Sequence, residues 1–141
     1  MRPAPKLKWY LAGPMTGYYQ QNFPLFDRVA KELREQDYDI VSPAELDSPK
    51  ERKIALANKR SKCTWGDFLA RDVKIIADQV QGIIFLPGWS KSRGARLEAT
   101  VGLLKPGFQF RWWEDERQWA RTIDRSLVAY MVYEENTNES A

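Results

Sequence analysis

The segment GIIFLPGWSKSRGARLE, residues 82–98, decides the fold. It begins with an apolar run at 82–86, which Pro87 and Gly88 end. Because the run has no polar alternation, it predicts a central strand that is covered on both faces. Ser92 is the predicted N-cap of a helix that follows this strand and ends near Lys105. A buried strand followed directly by a helix is typical of an α/β protein with a parallel sheet.

The same alternation of strand and helix continues on both sides of this segment. Apolar runs that stop at Gly or Pro predict strands, and apolar residues at helical spacing after a capping residue predict helices. From Asp115 onward, the spacing of Trp119, Ile123 and Leu127 predicts a C-terminal helix over about 114–132, with a fifth strand at 128–133 as the alternative. The other predicted elements are strands at 8–12, 38–42 and 108–112 and helices that begin after Asn22 and Thr64.

These elements predict a single domain over residues 1–141, with a core at about 8–112 and a frayed tail at 134–141. The expected fold is a Rossmann-like or flavodoxin-like three-layer sandwich around a four- or five-stranded parallel sheet. In such sheets a ligand binds at the carboxyl ends of the strands, where the strand order reverses. With the flavodoxin-like order, we expect the loops 13–17 and 87–94 to meet at that point.

The composition limits the chemistry. The chain has 141 residues, of which 43% are hydrophobic and 29% charged, as in a soluble globular protein. It contains no His, which excludes a Ser-His-Asp triad, a Cys-His pair and nearly all zinc sites. Acid–base chemistry then falls to carboxylates, Lys, Tyr or water, and no metal or cofactor is expected. Cys63 is the single cysteine of the sequence, so no internal disulfide can form, which indicates a reducing compartment. We interpret Cys63 as a residue without a catalytic role.

The net charge of +3 is typical of a protein that binds a phosphate-bearing small molecule, and it does not demand nucleic acid. No apolar run approaches the roughly 20 residues of a membrane helix. Residues 1–6 are charged and no signal-peptide core follows them. We therefore expect a cytoplasmic protein without a membrane partner, in the host cytoplasm if the chain is phage-encoded.

Two carboxylates are the candidate catalytic residues. The neighbours of Glu98 at helical spacing are small or apolar, which leaves room for a ligand; the alternative is a surface pair with Arg93 or Arg96. Asp72 lies in the middle of an apolar helix stripe, so it requires a hydrogen-bond partner or a functional use.

Two segments are candidates for binding an anion. The loop 87–94 runs into a helix N-terminus, where backbone N–H groups and the helix dipole favour phosphate; the alternative is an ordinary capped helix start. The basic residues between 50 and 62 indicate either a solvated loop or a mobile basic lid over an anionic ligand. The candidate phosphate donors are Ser90, Ser92, Arg93 and the Gly94 amide.

Four segments together resemble the nucleoside 2-deoxyribosyltransferase-like superfamily, in particular its small phage and bacterial members of unassigned function: residues 10–17, 68–72, 83–89 and 92–98. That superfamily includes 2′-deoxynucleoside 5′-phosphate N-hydrolases and cytidylate N-glycosidases. The resemblance covers about residues 8–105. It implies N-glycosidic cleavage of a (deoxy)nucleoside 5′-monophosphate, or transfer of the deoxyribosyl group to another base. Because related domains serve as nucleotide sensors, a non-catalytic binding module is the alternative.

The resemblance also implies roles for the residues that match. Glu98 matches the Glu that attacks the anomeric carbon, and Asp72 matches the Asp that holds or protonates the leaving base. The first loop would cradle the sugar and base, and the start of the Glu98 helix would bind the 5′-phosphate. A homodimer or higher homo-oligomer is implied as well. The implied substrate-binding residues are Gly13, Met15, Gly17, Trp89, Ser90, Ser92, Arg93 and Gly94.

Three features depart from the family pattern. Gln81 and Gly82 stand where many relatives have an Asp before the third strand, and Asp78 either substitutes for it or is exposed. The loop after the third strand is cationic, which favours a nucleotide over a nucleoside. The Trp- and Arg-rich segment 112–125 has no counterpart, so its tryptophans belong to the core or to an interface.

A third interpretation of the function is an interaction protein that binds its partner through the C-terminal helix.

Overall fold

A five-stranded, mostly parallel sheet lies at the centre of the structure. The computed structural model describes residues 6–59 and 63–139, with side chains described as far as residue 134. The strands are β1 (Lys8–Ala12), β2 (Asp39–Val41), β3 (Gly82–Phe85), β4 (Gln109–Glu114) and β5 (Trp119–Thr122). Their order is β2-β1-β3-β4-β5, in which β5 alone runs antiparallel to its neighbour. The helices are α1 (Phe23–Glu35), α2 (Pro49–Leu56), α3 (Trp65–Asp78), α4 (Arg93–Leu103) and α5 (Arg125–Glu139).

Helices cover both faces of this sheet. Successive strand residues point to opposite faces, so Leu11 of β1 packs in the layer of α1, while Tyr10 packs in the layer of α3, α4 and α5. β3 is buried throughout, as its uninterrupted apolar run predicts. The structure is therefore a three-layer α/β sandwich, which confirms the sequence prediction at that level. Among the described residues, no helix is both long and apolar enough to cross a membrane.

Glycine allows α4 to approach the sheet closely. A Cβ atom at Gly102 would lie 2.6 Å from Cε1 of Phe108 and 3.2 Å from Cε1 of Phe110. Real side chains do not tolerate the shorter distance, so only glycine fits at this helix position without movement of the aromatic rings. This contact seats α4 against the sheet, one turn after Glu98 on the same helix.

The C-terminal region differs from the predicted helix over 114–132. A hairpin occupies its first part, because residues 115–118 form a turn in which the first three residues are charged and Gln118 has a φ of 54°. Trp119 is exposed while its neighbour Ala120 is buried, as is Trp113 on the partner strand. Burial that alternates between successive residues is typical of a strand and not of a helix. The fifth strand is thus antiparallel and lies at 119–122. Helix α5 starts only at Arg125 and includes 134–139, which the sequence assigned to a frayed tail.

Part of the basic segment is also helical where the sequence indicated a loop. Ser48 caps α2 by accepting a hydrogen bond from the Glu51 amide at 3.2 Å. The guanidinium of Arg52 donates to the Ala44 carbonyl at 2.8 Å and to the Asp27 carboxylate. Residues 60–62 lie outside the described residues, so the basic lid over a ligand stays a prediction.

Candidate functional site

The loops after β1 and β3 meet at the carboxyl edge of the sheet. A Cβ atom at Gly13 would lie 2.8 Å from the Cβ of Leu86. Gly88 adopts a φ of 83°, and a Cβ there would lie 3.3 Å from the Tyr18 hydroxyl and 3.4 Å from the Pro14 ring. This contact between the two loops lies where the strand order reverses, as the sequence predicted.

Glu98 is a buried residue of α4. Its carboxyl oxygen Oε2 accepts a hydrogen bond of 2.5 Å from the hydroxyl of Tyr10, a residue of β1 that is fully buried. Glu98 itself is 6% exposed, and no ion pair found among the described residues includes it. The alternative of a surface pair with Arg93 or Arg96 is therefore wrong.

Asp72, on the neighbouring helix α3, lies near Tyr10 and Glu98, and its charge raises the pKa of both. Its carboxylate interacts with Tyr10 and accepts a hydrogen bond of 2.9 Å from Nε of Arg71. Arg71 also donates to Asp47 at 2.6 Å. Asp72 is 7% exposed, so the predicted need for a partner is confirmed. We call Glu98, Tyr10, Asp72, Arg71 and Asp47 the carboxylate cluster.

Burial changes the proton affinities within the carboxylate cluster. It raises the pKa of Glu98 well above its usual range, and the neighbouring charge of Asp72 raises it further, against the opposing effects of the Tyr10 hydrogen bond and the Arg71 charge. Burial also raises the pKa of Asp72, but the hydrogen bond and charge of Arg71 oppose this shift. The pKa of the Tyr10 phenol is raised well above its usual value, again by burial first. Tyr10 is therefore a hydrogen-bond donor at neutral pH, and the two carboxyls retain a proton more readily than exposed carboxyls do.

The N-terminal ends of α3 and α4 lie side by side next to this cluster. Ser92 caps α4 by accepting a hydrogen bond from the Ala95 amide at 3.2 Å. The guanidinium of Arg93 lies 4.9 Å from the ring centre of Trp65 in α3. A Cβ atom at Gly94 would be 3.8 Å from the indole nitrogen of the same Trp65. Both helices thus present their positive dipole ends at one edge of the molecule.

The other predicted substrate-binding residues are spread more widely. Gly17 is exposed with a φ of 84°, whereas Met15 is half-buried and packs in the layer of α1. Trp89 is 3% exposed and stacks on Phe85 with ring centres 3.8 Å apart, so its ring belongs to the core. Ser90 lines a separate cleft together with Trp89.

Asp78 is not buried, in contrast to Glu98 and Asp72. It is exposed and pairs with Lys74 of the same helix at 3.0 Å, which is one of the two alternatives that the sequence left open. Gln81, at the position of the missing family Asp, instead accepts a hydrogen bond of 2.9 Å from the Lys8 amide. The residues just before β3 therefore help to hold the sheet together.

Four polar residues near the site were missed from the sequence. Tyr10 stands within an apolar run that indicates only a strand, although a Tyr in a fully buried strand needs a partner for its hydroxyl. Arg71 and Asp47 lie 24 positions apart, and nothing in the sequence indicates that their side chains meet. Ser42 is 1% exposed at the carboxyl end of β2, and its hydroxyl has no hydrogen-bond partner among the described residues.

A protein-family model matches residues 7–105, from the start of β1 to just beyond the end of α4. The chain belongs to the family described as Domain of unknown function (DUF4406). The match includes every residue of the carboxylate cluster, while the hairpin and α5 of this DUF4406 protein lie beyond it. No curated protein matches the chain. Within residues 6–59 and 63–139, no group of three or more Cys, Asp or Glu side chains is arranged to hold a metal ion.

Proposed function

We propose that this DUF4406 protein cleaves the N-glycosidic bond of a (deoxy)nucleoside 5′-monophosphate, or transfers the deoxyribosyl group to another base. The observation that carries the proposal is the proximity of two buried carboxyls, Glu98, which accepts a hydrogen bond from Tyr10, and Asp72, whose charge acts on both of these residues. The strand order and the two touching loops support a Rossmann-like ligand site directly above them. The sequence resemblance to the nucleoside 2-deoxyribosyltransferase-like superfamily assigns the same two carboxyls to the same reaction.

The chemistry requires two carboxyl groups in different protonation states. Cleavage builds positive charge on the sugar ring, which the ionised Glu98 stabilises and then traps by forming a bond to the anomeric carbon. The C–N bond breaks as its electron pair goes to the base, which takes a proton from Asp72. In the second step the ionised Asp72 accepts a proton from water, which attacks the anomeric carbon and releases Glu98. The products are the free base and the sugar phosphate; a second base in place of water gives transfer.

The fraction of protein molecules that can react depends on whether Glu98 or Asp72 carries the proton. The pKa of Asp72 is held down by Arg71, while that of Glu98 is raised more strongly by burial. When the pair holds one proton, Glu98 therefore carries it more often than Asp72, whereas the attack needs it on Asp72. The reactive form, with the proton on Asp72 and Glu98 ionised, is therefore the less populated of the two. The hydrogen bond from Tyr10 increases the population of this form, because it favours the ionised Glu98.

A 5′-phosphate fits the helix start that precedes Glu98. Ser92 and Glu98 are six residues apart on α4, or about 9 Å along the helix axis. This separation leaves room for one pentose between the Glu98 carboxylate and a phosphate held by Ser92, the Gly94 amide and the positive helix end. Arg93 adds a positive charge at the same edge.

Base release tests the proposal. The protein is incubated with each common deoxy- and ribonucleoside 5′-monophosphate and with the matching nucleosides, and free base is separated by chromatography. We expect release from at least one nucleotide and slower release from its nucleoside. Glu98→Gln should abolish it, while Glu35→Gln, which changes an exposed Glu of α1, should not. No release from any nucleotide, or equal release by Glu98→Gln, would refute hydrolysis.

One observation favours a second function, binding without catalysis. Burial raises the pKa of Glu98 well above its usual range, so its neutral form can exchange hydrogen bonds with a nucleotide and not attack it. In that case nucleotides bind, as measured by calorimetry, and no base is released.

A further inference from the structure

The proposed reaction leaves Asp47 without a role, although its side chain is as buried as that of Asp72. The side chains of Asp47 and Asp72 are 7% and 10% exposed. A buried charge is costly unless a partner compensates it. The partner of Asp47 is Arg71, whose Nη1 donates to Oδ1 at 2.6 Å. Because Arg71 also contacts Asp72, Asp47 is linked to one of the two candidate catalytic carboxyls.

Asp47 belongs to the segment 42–48, which joins β2 to α2 and is anchored from three sides. The anchors are three guanidinium groups from different helices: Arg34 of α1, Arg52 of α2 and Arg71 of α3. Their acceptors in this segment are, in the same order, the Glu45 carboxylate at 2.6 Å, the Ala44 carbonyl at 2.8 Å and the Asp47 carboxylate. Ser48, the next residue, caps α2. Asp47 is therefore held in place on both sides, facing Arg71.

Arg71 connects Asp47 to Asp72 through two different nitrogen atoms. Nη1 donates to Asp47, while Nε donates to Oδ1 of Asp72 at 2.9 Å. A guanidinium group is planar and rigid, so a bond at one end fixes the direction of the N–H groups at the other. An oxygen that accepts such a charge-assisted hydrogen bond retains negative charge. A proton on Asp72 therefore resides on Oδ2.

We propose that Asp47 is a positioning residue for Asp72: it holds Arg71 against Oδ1 and balances part of its charge, so that Oδ2 carries the proton for the leaving base. The inference rests on the proposed function, because it takes Asp72 as the acid. As the C–N bond breaks and its electron pair goes to the base, the proton moves from Oδ2 to the base. Without the charge of Asp47, Arg71 would act on Asp72 alone and keep it ionised.

Charged and titratable groups from four parts of the chain act on Asp72. Burial is the main cause that raises the pKa of Asp72, the hydrogen bond and charge of Arg71 and the hydrogen bond with Tyr10 lower it, and the charge of Asp47 raises it. Glu98 faces Asp72 from α4, and the two carboxyls repel each other when both are ionised. Asp47→Asn keeps the shape of the side chain and removes its charge. The pKa of Asp72 should therefore fall in this variant.

The test compares Asp47→Asn with Glu45→Gln in the full chain. Both variants remove one negative charge from the segment 42–48, but Glu45 pairs with Arg34 and not with Arg71. The titration of the Asp72 carboxyl is followed by ¹³C NMR, with Asp72→Asn to assign its signal. The same spectra report whether each variant is folded. Base release from nucleoside 5′-monophosphates is measured over the same pH range.

Asp72 should titrate at lower pH in Asp47→Asn than in the wild type. The plateau of kcat/KM should fall about tenfold, the order of effect of one neighbouring charge at an effective dielectric constant of about 20, because fewer molecules carry the proton on Asp72. Glu45→Gln should move neither. An Asp72 titration that Asp47→Asn leaves unchanged, or that Glu45→Gln moves equally, overturns the inference, while base release by the wild type still supports the proposed function. If the wild type releases no base, the proposed function is refuted whatever the titration shows.

Discussion

Replacing Tyr10 by Phe removes one hydroxyl and leaves the ring that fills the core. That hydroxyl donates to Glu98 at 2.5 Å and interacts with Asp72. A hydrogen bond to a charged group contributes about 1.5–3 kcal/mol, and all of these groups are buried. We therefore expect Tyr10→Phe to lower the free energy of unfolding by about this amount at pH values above the raised pKa of Glu98, where this carboxyl is ionised, as measured by urea denaturation.

The same change should move the pH dependence of base release. The Tyr10 hydrogen bond favours ionised Glu98, so its loss raises the pKa of Glu98 further and shifts the rising limb of kcat/KM to higher pH. If the transition state loses the same hydrogen bond, 1.5–3 kcal/mol corresponds to a decrease of about ten- to hundredfold at pH 7. The stability loss should shrink as pH falls through the raised pKa of Glu98, because the protonated carboxyl no longer accepts a charge-assisted hydrogen bond.

Tyr38→Phe is the matched control for this experiment. Its hydroxyl accepts a hydrogen bond from Arg111, in the layer of α1 and away from the carboxylate cluster. It should lower stability without moving the pH profile. If Tyr10→Phe shows the wild-type pH profile and a stability loss that is the same below and above the raised pKa of Glu98, the reasoning about the cluster is wrong.

Three further changes test the packing and the charges. Gly102→Ala places a Cβ 2.6 Å from Phe108 and should cost about 1–3 kcal/mol in urea denaturation, as overpacked cores do; wild-type stability would contradict the close approach of α4. Gly13→Ala places a Cβ 2.8 Å from that of Leu86, so it should separate the two loops and slow base release; an unchanged rate would show that the loop contact does not position substrate. Because burial raises the pKa of folded Glu98, its carboxyl favours folding below the unfolded pKa and this contribution is lost as pH rises. Glu98→Gln should therefore be more stable than wild type at pH 8, with an advantage that disappears toward pH 4; equal stability at both pH values would contradict the raised pKa.

Local signals were sufficient for the sheet and most of its helices. The uninterrupted apolar run at 82–86 predicted a central strand, and Thr64 and Ser92 cap α3 and α4 as their positions indicated. The hairpin was missed because apolar residues at 119, 123 and 127 have the spacing of a helix. Only the tertiary contact of Trp113 and Ala120 with the α1 layer shows that this part of the chain is a strand.

The candidate site was predictable only in part for a related reason. Glu98 stands among small neighbours and Asp72 within an apolar stripe, so each was conspicuous in its own helix. The hydroxyl that donates to Glu98 comes from Tyr10, 88 positions earlier, and Arg71 joins Asp72 to Asp47 across 24 positions. Contacts between distant segments leave no periodic signal, which is why these partners emerged only from the fold.

The most direct test of the account asks whether Glu98 becomes bonded to the sugar. A nucleotide substrate with fluorine at the 2′ position destabilises positive charge on the ring and therefore lengthens the lifetime of a glycosyl-enzyme once it has formed. Mass spectrometry should find one sugar phosphate per chain on the peptide that contains Glu98, with one equivalent of base released. Release of base with no adduct, or an adduct on another residue, would contradict the central role of Glu98.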